Sequence, residues 1–241
     1  DMSKVLNQCN MGCNMNGFMV NHLLYADDSI LLAPSPRALQ KLIDICIDYV
    51  CKNILVYNVG KTECMIIKPK WLKDLRDPVF SIGGRVLNVV SSKKYLGCII
   101  SDDLRDDLDI KRQVRSIYCK GNILIKKFRH CTDEVKIRLF NSYCPSFYGS
   151  SLWVNYCDYN LKKCITAYKQ IFRSFVKCKR ESTTLQMLRL HIDPCAVIIR
   201  KLLFSFRKRI LDCDNMIVKT ISQSLQFYSS SFCATWNNIL F

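Results

Sequence analysis

Residues 21–32 read Asn21-His22-Leu23-Leu24-Tyr25-Ala26-Asp27-Asp28-Ser29-Ile30-Leu31-Leu32. Two apolar runs flank a pair of adjacent acids, so residues 18–33 are expected to form strand, acidic turn, strand. Two carboxylates at a hairpin tip repel each other, and a bound divalent cation relieves that repulsion. Asp-Asp is also a common turn dipeptide, so the pair acquires meaning only from its surroundings.

Working outward, Pro34-Ser35-Pro36 breaks the chain. A helix is expected over 36–52, with Leu39, Leu42, Ile43, Cys46, Ile47 and Val50 on one face. A short strand, Glu63 to Lys68, should follow the turn at Asn58-Val59-Gly60-Lys61. Gly83-Gly84 signals a hairpin between Phe80–Ile82 and Arg85–Val89. Residues 95–100 read as one further strand.

The character changes after Ser101. Ile110, Val114, Ile117, Gly121, Leu124 and Phe128 step by four and three, which makes one helical stripe. Helices are expected over 103–130, 133–148 and 160–180, the first two opening on acids near Asp103 and Asp133. A fourth should start at Asp193-Pro194. The fold class expected is α+β: an antiparallel sheet carrying the acidic hairpin, with a packed helix, over residues 1–100, then an all-helical basic region over 101–241.

The charge is +16, and it is one-sided. Residues 1–110 hold 13 Lys and Arg against 13 Asp and Glu; residues 111–241 hold 23 against 7. The excess suits a phosphate backbone, an anionic membrane surface or a solvated cationic face. Lys111, Arg112, Arg115, Lys120, Lys126, Lys127 and Arg129 crowd the first basic helix. Lys162, Lys163, Lys169, Arg173, Lys177, Lys179 and Arg180 crowd the third. Fifteen cysteines without a CxxC pair support neither a zinc site nor a disulfide scaffold. Reduced thiols in the nucleus or cytoplasm are expected, with no disulfide-linked partner. No apolar run approaches the roughly 20 residues of a membrane span.

With these features in place, residues 21–32 closely resemble the Tyr-Ala-Asp-Asp block of reverse transcriptases from non-LTR, LINE-type retrotransposons. Three further stretches resemble that family's motifs in its order. Cys9-Asn10-Met11-Gly12-Cys13 through Gly17 is similar to the approach to the catalytic hairpin. Asn58 with Lys61-Thr62-Glu63-Cys64-Met65 is similar to the next palm motif, and Lys94-Tyr95-Leu96-Gly97 to the primer grip. The resemblance is strong over 9–100 and softer beyond.

It implies a polymerase palm over 1–100 and a thumb over 101–241, an RNA template, a DNA primer, deoxynucleotide triphosphates, and two Mg²⁺ or Mn²⁺ ions. Asp27 and Asp28 would be the catalytic metal ligands, and Tyr25 would line the primer side. Lys61 would face the triphosphate; a solvated turn lysine explains it equally well. Tyr95, Leu96 and Gly97 would shape the primer grip. Lys111, Arg112, Arg115, Lys126, Lys127, Arg129, Lys162, Lys163 and Arg173 would contact phosphates. The family also needs a third carboxylate from an earlier strand. Only 24 residues precede Tyr25, with Asp1 their sole acid, so the expectation is a fragment inactive by itself. The alternative is a nucleic-acid-binding remnant without chemistry.

Overall fold

The computed structural model describes residues 2–69, 77–177 and 182–240. The chain mixes α and β structure and divides into two compact units. One comprises Asp1–Ser91 with Cys213–Tyr228, the other Ser92–Asp212 with Ser229–Phe241. The division therefore falls before residues 92–100, which pack with the helices that follow them.

The first unit opens with helix α1, Met2–Gln8. Strands β1 (Cys13–Met15) and β2 (Phe18–Val20) then form an antiparallel hairpin. Its turn residues Asn16 and Gly17 both have positive φ, 50° and 85°, the geometry that matches strand twist in a two-residue hairpin. The acidic hairpin follows as β3 (His22–Tyr25) and β4 (Asp28–Leu31). Helix α2 (Pro36–Lys52) starts where expected: Ser35 caps it by accepting from the Ala38 N–H, and Pro36 enters its first turn. Leu42, Ile43, Cys46 and Val50 are buried on its inner face. Leu31 packs against two apolar clusters, one around Ile43, Cys64 and Phe80 and one around Leu6, Leu42 and Cys46. That single leucine fixes the inner end of β4 on α2.

The next strand is shorter than expected. β5 covers only Glu63–Cys64 and pairs in parallel with β8, Asn88–Val89. The Gly83-Gly84 hairpin forms as β6 (Ser81–Ile82) and β7 (Arg85–Val86). Among the described residues the strands stay in separate two-stranded ladders rather than one continuous sheet.

The second unit begins with a correction. Residues 95–100 are not one strand but the centre of a hairpin, β9 (Ser92–Tyr95) with β10 (Cys98–Ser101). Leu96 and Gly97 take φ of 43° and 87° and reverse the chain. Helix α3 runs Asp107–Phe128, starting later than expected. Residues 101–105 are held in a turn instead: Ser101 Oγ donates to Asp103 at 2.6 Å, and Asp103 accepts the Arg105 N–H at 3.0 Å. The apolar stripe of α3 is buried as read, at Ile110, Ile117, Gly121 and Leu124.

Helix α4 (Asp133–Tyr143) ends ahead of Pro145, short of residue 148. Helix α5 spans Asp158–Val176. The expected cations Lys179 and Arg180 lie outside the described residues. Shorter helices α6 (Thr183–Arg189), α7 (Cys195–Leu211, with Pro194 at its N-cap), α8 (Met216–Ser222), α9 (Leu225–Tyr228) and α10 (Ser231–Leu240) complete the chain.

Helices α3 and α5 run side by side in the same direction. Asp107 at the start of α3 accepts from Cys157 N and Asn160 Nδ2 at the start of α5, and Tyr118 meets Gln170 further along. Gly121 permits the close approach, since a Cβ there would collide with Ile171. Phe140 of α4 packs on Tyr168 and Phe172 of α5, with ring centroids 5.1 and 5.3 Å apart. Burying each such side chain contributes about 1.5–3 kcal/mol.

Candidate functional site

In the acidic hairpin Tyr25 pairs with Asp28, so Ala26 and Asp27 form a two-residue turn, with Ala26 at φ 52°. Cross-strand partners share a face, so the Tyr25 and Asp28 side chains leave the hairpin on the same side. All four residues are exposed, Tyr25 by 62%. Among the described residues neither Asp27 nor Asp28 makes a side-chain hydrogen bond or ion pair. Their oxygens are open to solvent, and carboxylate oxygens of this kind can ligate a hard cation. No group of three or more His, Cys, Asp or Glu is gathered into a metal cage among the described residues.

The hairpin is held from its base. Asn21 is buried at 2% exposure, and its Nδ2 donates to Leu6 O at 2.7 Å and Met11 O at 2.9 Å. Its own carbonyl accepts the Leu32 N–H at 2.8 Å. His22 Nε2 lies 2.8 Å from Ser3 Oγ. Gly12 explains the glycine in the preceding motif: a Cβ there would stand 2.7 Å from the Cβ of Asn21. The stretch before the hairpin thus supplies its floor.

Lys61 ends a 3-10 turn, Val59–Lys61, fixed by Lys61 N and Thr62 N donating to Asn58 O. It is exposed. Val59 packs in the cluster that also receives Leu31, so this turn and the acidic hairpin stand on one apolar base.

Tyr95, Leu96 and Gly97 belong to the second unit. Their hairpin is latched to α3 through a residue that local reading missed. Asp109 is 3% exposed and gathers four donors: Ile99 N at 2.8 Å, Arg112 Nε at 2.6 Å, Arg112 Nη2 at 3.1 Å and Trp153 Nε1 at 2.9 Å. Burial pushes its pKa up, but the hydrogen bonds from Arg112, Trp153 and Ile99 outweigh this and leave it below the usual carboxylate value. Arg112 also donates to Tyr148 O at 3.0 Å. It is therefore a structural clamp as well as a cation. Tyr148 Oη closes the circuit by donating to Leu96 O at 2.9 Å.

The remaining expected phosphate contacts, Lys111, Arg115, Lys126, Lys127 and Arg129 along α3 and Lys162, Lys163 and Arg173 along α5, are all exposed. Lys163 lies over the Tyr159 ring at 4.4 Å. No acid occurs between Ile110 and Phe128 or between Tyr159 and Lys177. The acids at the start of α3 face inward: Asp106 accepts from Val154 N and Asn155 N, and Asp107 from α5. On α7, Arg207 sits over Trp236 and Arg209 over Phe206, at 5.9 and 5.7 Å.

A scan against protein-family models and a search of curated proteins both found no match. No helix among the described residues is long and apolar enough to cross a membrane.

Proposed function

We propose that this chain is the palm-and-thumb part of an RNA-directed DNA polymerase of the LINE retrotransposon type. The observation that carries the reading is the Asp27-Asp28 pair, exposed at the tip of a tight hairpin with no side-chain partner among the described residues, with the three accompanying motifs in family order. Divalent ions would supply charge neutralisation for nucleotidyl transfer. Asp27 and Asp28 would hold them, and Tyr25 would line the primer side. Lys61 would offset charge on the leaving pyrophosphate. The Tyr95–Gly97 hairpin would grip the primer, and the exposed cations of α3 and α5 would track an RNA–DNA hybrid through its phosphates.

Two carboxylates are one short of the family's set. This polypeptide by itself should therefore align metals poorly and extend primers little. The test is primer extension on an RNA template with Mg²⁺ or Mn²⁺. Negligible incorporation is expected, together with hybrid binding that weakens steeply with salt. Robust incorporation that disappears in Asp27→Ala would overturn the claim of inactivity and confirm the enzyme. A flat salt dependence would count against the thumb assignment.

The acid-free cationic faces support a second reading, a nucleic-acid-binding remnant without chemistry. Adding a separate strand bearing the missing aspartate discriminates the two: restored extension favours the enzyme, unchanged hybrid binding without extension the remnant.

A further inference from the structure

One surface of α3 has an order that simple phosphate tracking does not require. Lys111, Arg115, Tyr118, Asn122, Lys126 and Arg129 are spaced by four, three, four, four and three, so they form a single ridge, and all are exposed. An aromatic ring and an amide occupy the middle, with cations on both sides. Beside the middle of the ridge lies a groove of about 510 Å³ between α3 and α5. Its walls are Tyr118, Asn122 and Ile125 on one side and Gln170, Arg173 and Ser174 on the other, with Ile171 also lining it. Tyr118 Oη donates to Gln170 Oε1 at 2.7 Å, which ties the ring across the groove while leaving 37% of the residue exposed.

We propose that this groove seats one unpaired nucleotide of a single strand. The inference rests on the nucleic-acid reading above and adds where, and in what state, the strand is held. The volume falls in the range of pockets for small ligands, about 300–1,000 Å³. An aromatic face stacks any base, and carboxamide and hydroxyl groups at the walls complete its hydrogen bonding. Arg115 and Lys126 flank the seat over about 16 Å of helix, so phosphates on either side of the base meet positive charge. Arg173 supplies a cation from the opposite wall. No acid occurs between Ile110 and Phe128 or between Tyr159 and Lys177. A base stacked inside a duplex cannot reach Tyr118, whereas an extruded or single-stranded base can.

The test is fluorescence anisotropy on the full chain with four labelled probes of one sequence: single-stranded RNA, single-stranded DNA, an RNA–DNA hybrid, and a strand made abasic at its central positions. Tyr118→Ala should weaken single-strand binding about tenfold, and Tyr118→Phe less than about twofold, because the ring persists. The salt slope should stay unchanged in both, since no phosphate contact is removed. The abasic strand should bind the unaltered protein as weakly as the intact strand binds Tyr118→Ala. Should Tyr118→Ala unfold, Arg173→Gln on the other wall is the second variant, expected to weaken single strands and lower the salt slope. Tighter RNA than DNA binding would support the seat with a ribose hydroxyl contact, and equal binding would support it through base and phosphate alone. Unchanged affinity in Tyr118→Ala, or abasic and intact strands binding alike, would overturn the seat while nucleic-acid binding stood. Failure to bind any probe would overturn both.

Discussion

The hydroxyl of Tyr148 donates to the carbonyl of Leu96 at 2.9 Å, while the Tyr148 ring fills the space beside Gly97, where a Cβ would come within 2.9 Å of it. One residue thereby holds a reverse turn 52 positions earlier in the chain by a hydrogen bond and by exclusion. Tyr148→Phe keeps the ring and loses the bond, a change of about 0.5–1.5 kcal/mol. Hydrogen exchange at the Tyr95–Cys98 amides should accelerate, with little change in overall melting. Gly97→Ala should cost more, because it adds strain at φ 87° to the clash.

Asp109 is the centre of the same latch. Asp109→Ala strands the Arg112 guanidinium, Trp153 Nε1 and Ile99 N together, and should destabilise the second unit by about 3–5 kcal/mol, read by chemical denaturation. The pH dependence follows from its lowered pKa. Its stabilisation is fully present above the unfolded value of about 3.9 and is lost as pH falls through the lower folded value. An acid titration of wild type and Asp109→Asn should show the difference between them shrinking only below the ordinary carboxylate range. A difference that grows on acidification would contradict the assignment.

Gly121 and Ile171 test the parallel helix pair. Gly121→Ala drives a methyl into Ile171 and should destabilise by about 1–3 kcal/mol. Ile171→Ala in the same chain should recover part of that loss, giving a favourable coupling in a double-mutant cycle. Simple additivity would mean the helices do not meet there.

Asp27 and Asp28 should behave oppositely to Asp109. Exposed and without a side-chain partner among the described residues, each can become Ala with a stability change within about 0.5 kcal/mol. Paramagnetic Mn²⁺ should nevertheless broaden the amide resonances of residues 24–29 in the wild type and spare them in the double variant. Equal broadening in both would remove the metal-binding role.

The contrast between these carboxylates shows what the sequence disclosed. Asp27 and Asp28 were legible because hairpin, turn and motif are contiguous. Helix α2 was legible for the same reason, with Ser35, Pro36 and a periodic face all local. Asn16-Gly17 is an equally local hairpin signal, and the β1–β2 turn forms on it. Asp109 reads locally as one more acid in a helix's first turn, the usual place for one. Its meaning comes from Trp153, 44 residues away, and from Ile99 on the hairpin. Gly97 reads locally as a strand residue because Tyr95 to Ile100 is otherwise apolar. Only the reversed φ at Leu96 and Gly97 separates a hairpin from a strand.

The return of Cys213–Tyr228 to the first unit bears on how the chain is made. Helix α8 packs near β2, yet nearly two hundred residues separate them in order of synthesis. The hairpin region can form its ladders early on the ribosome, but its surface at β2 stays uncovered until almost the whole second unit has emerged. Ser229–Phe241 then returns to the second unit, so each unit is closed by a segment made after most of the other. A chain halted after α7 would hold the completed Asp109 latch, but its first unit would lack α8 and α9 and its second would lack α10.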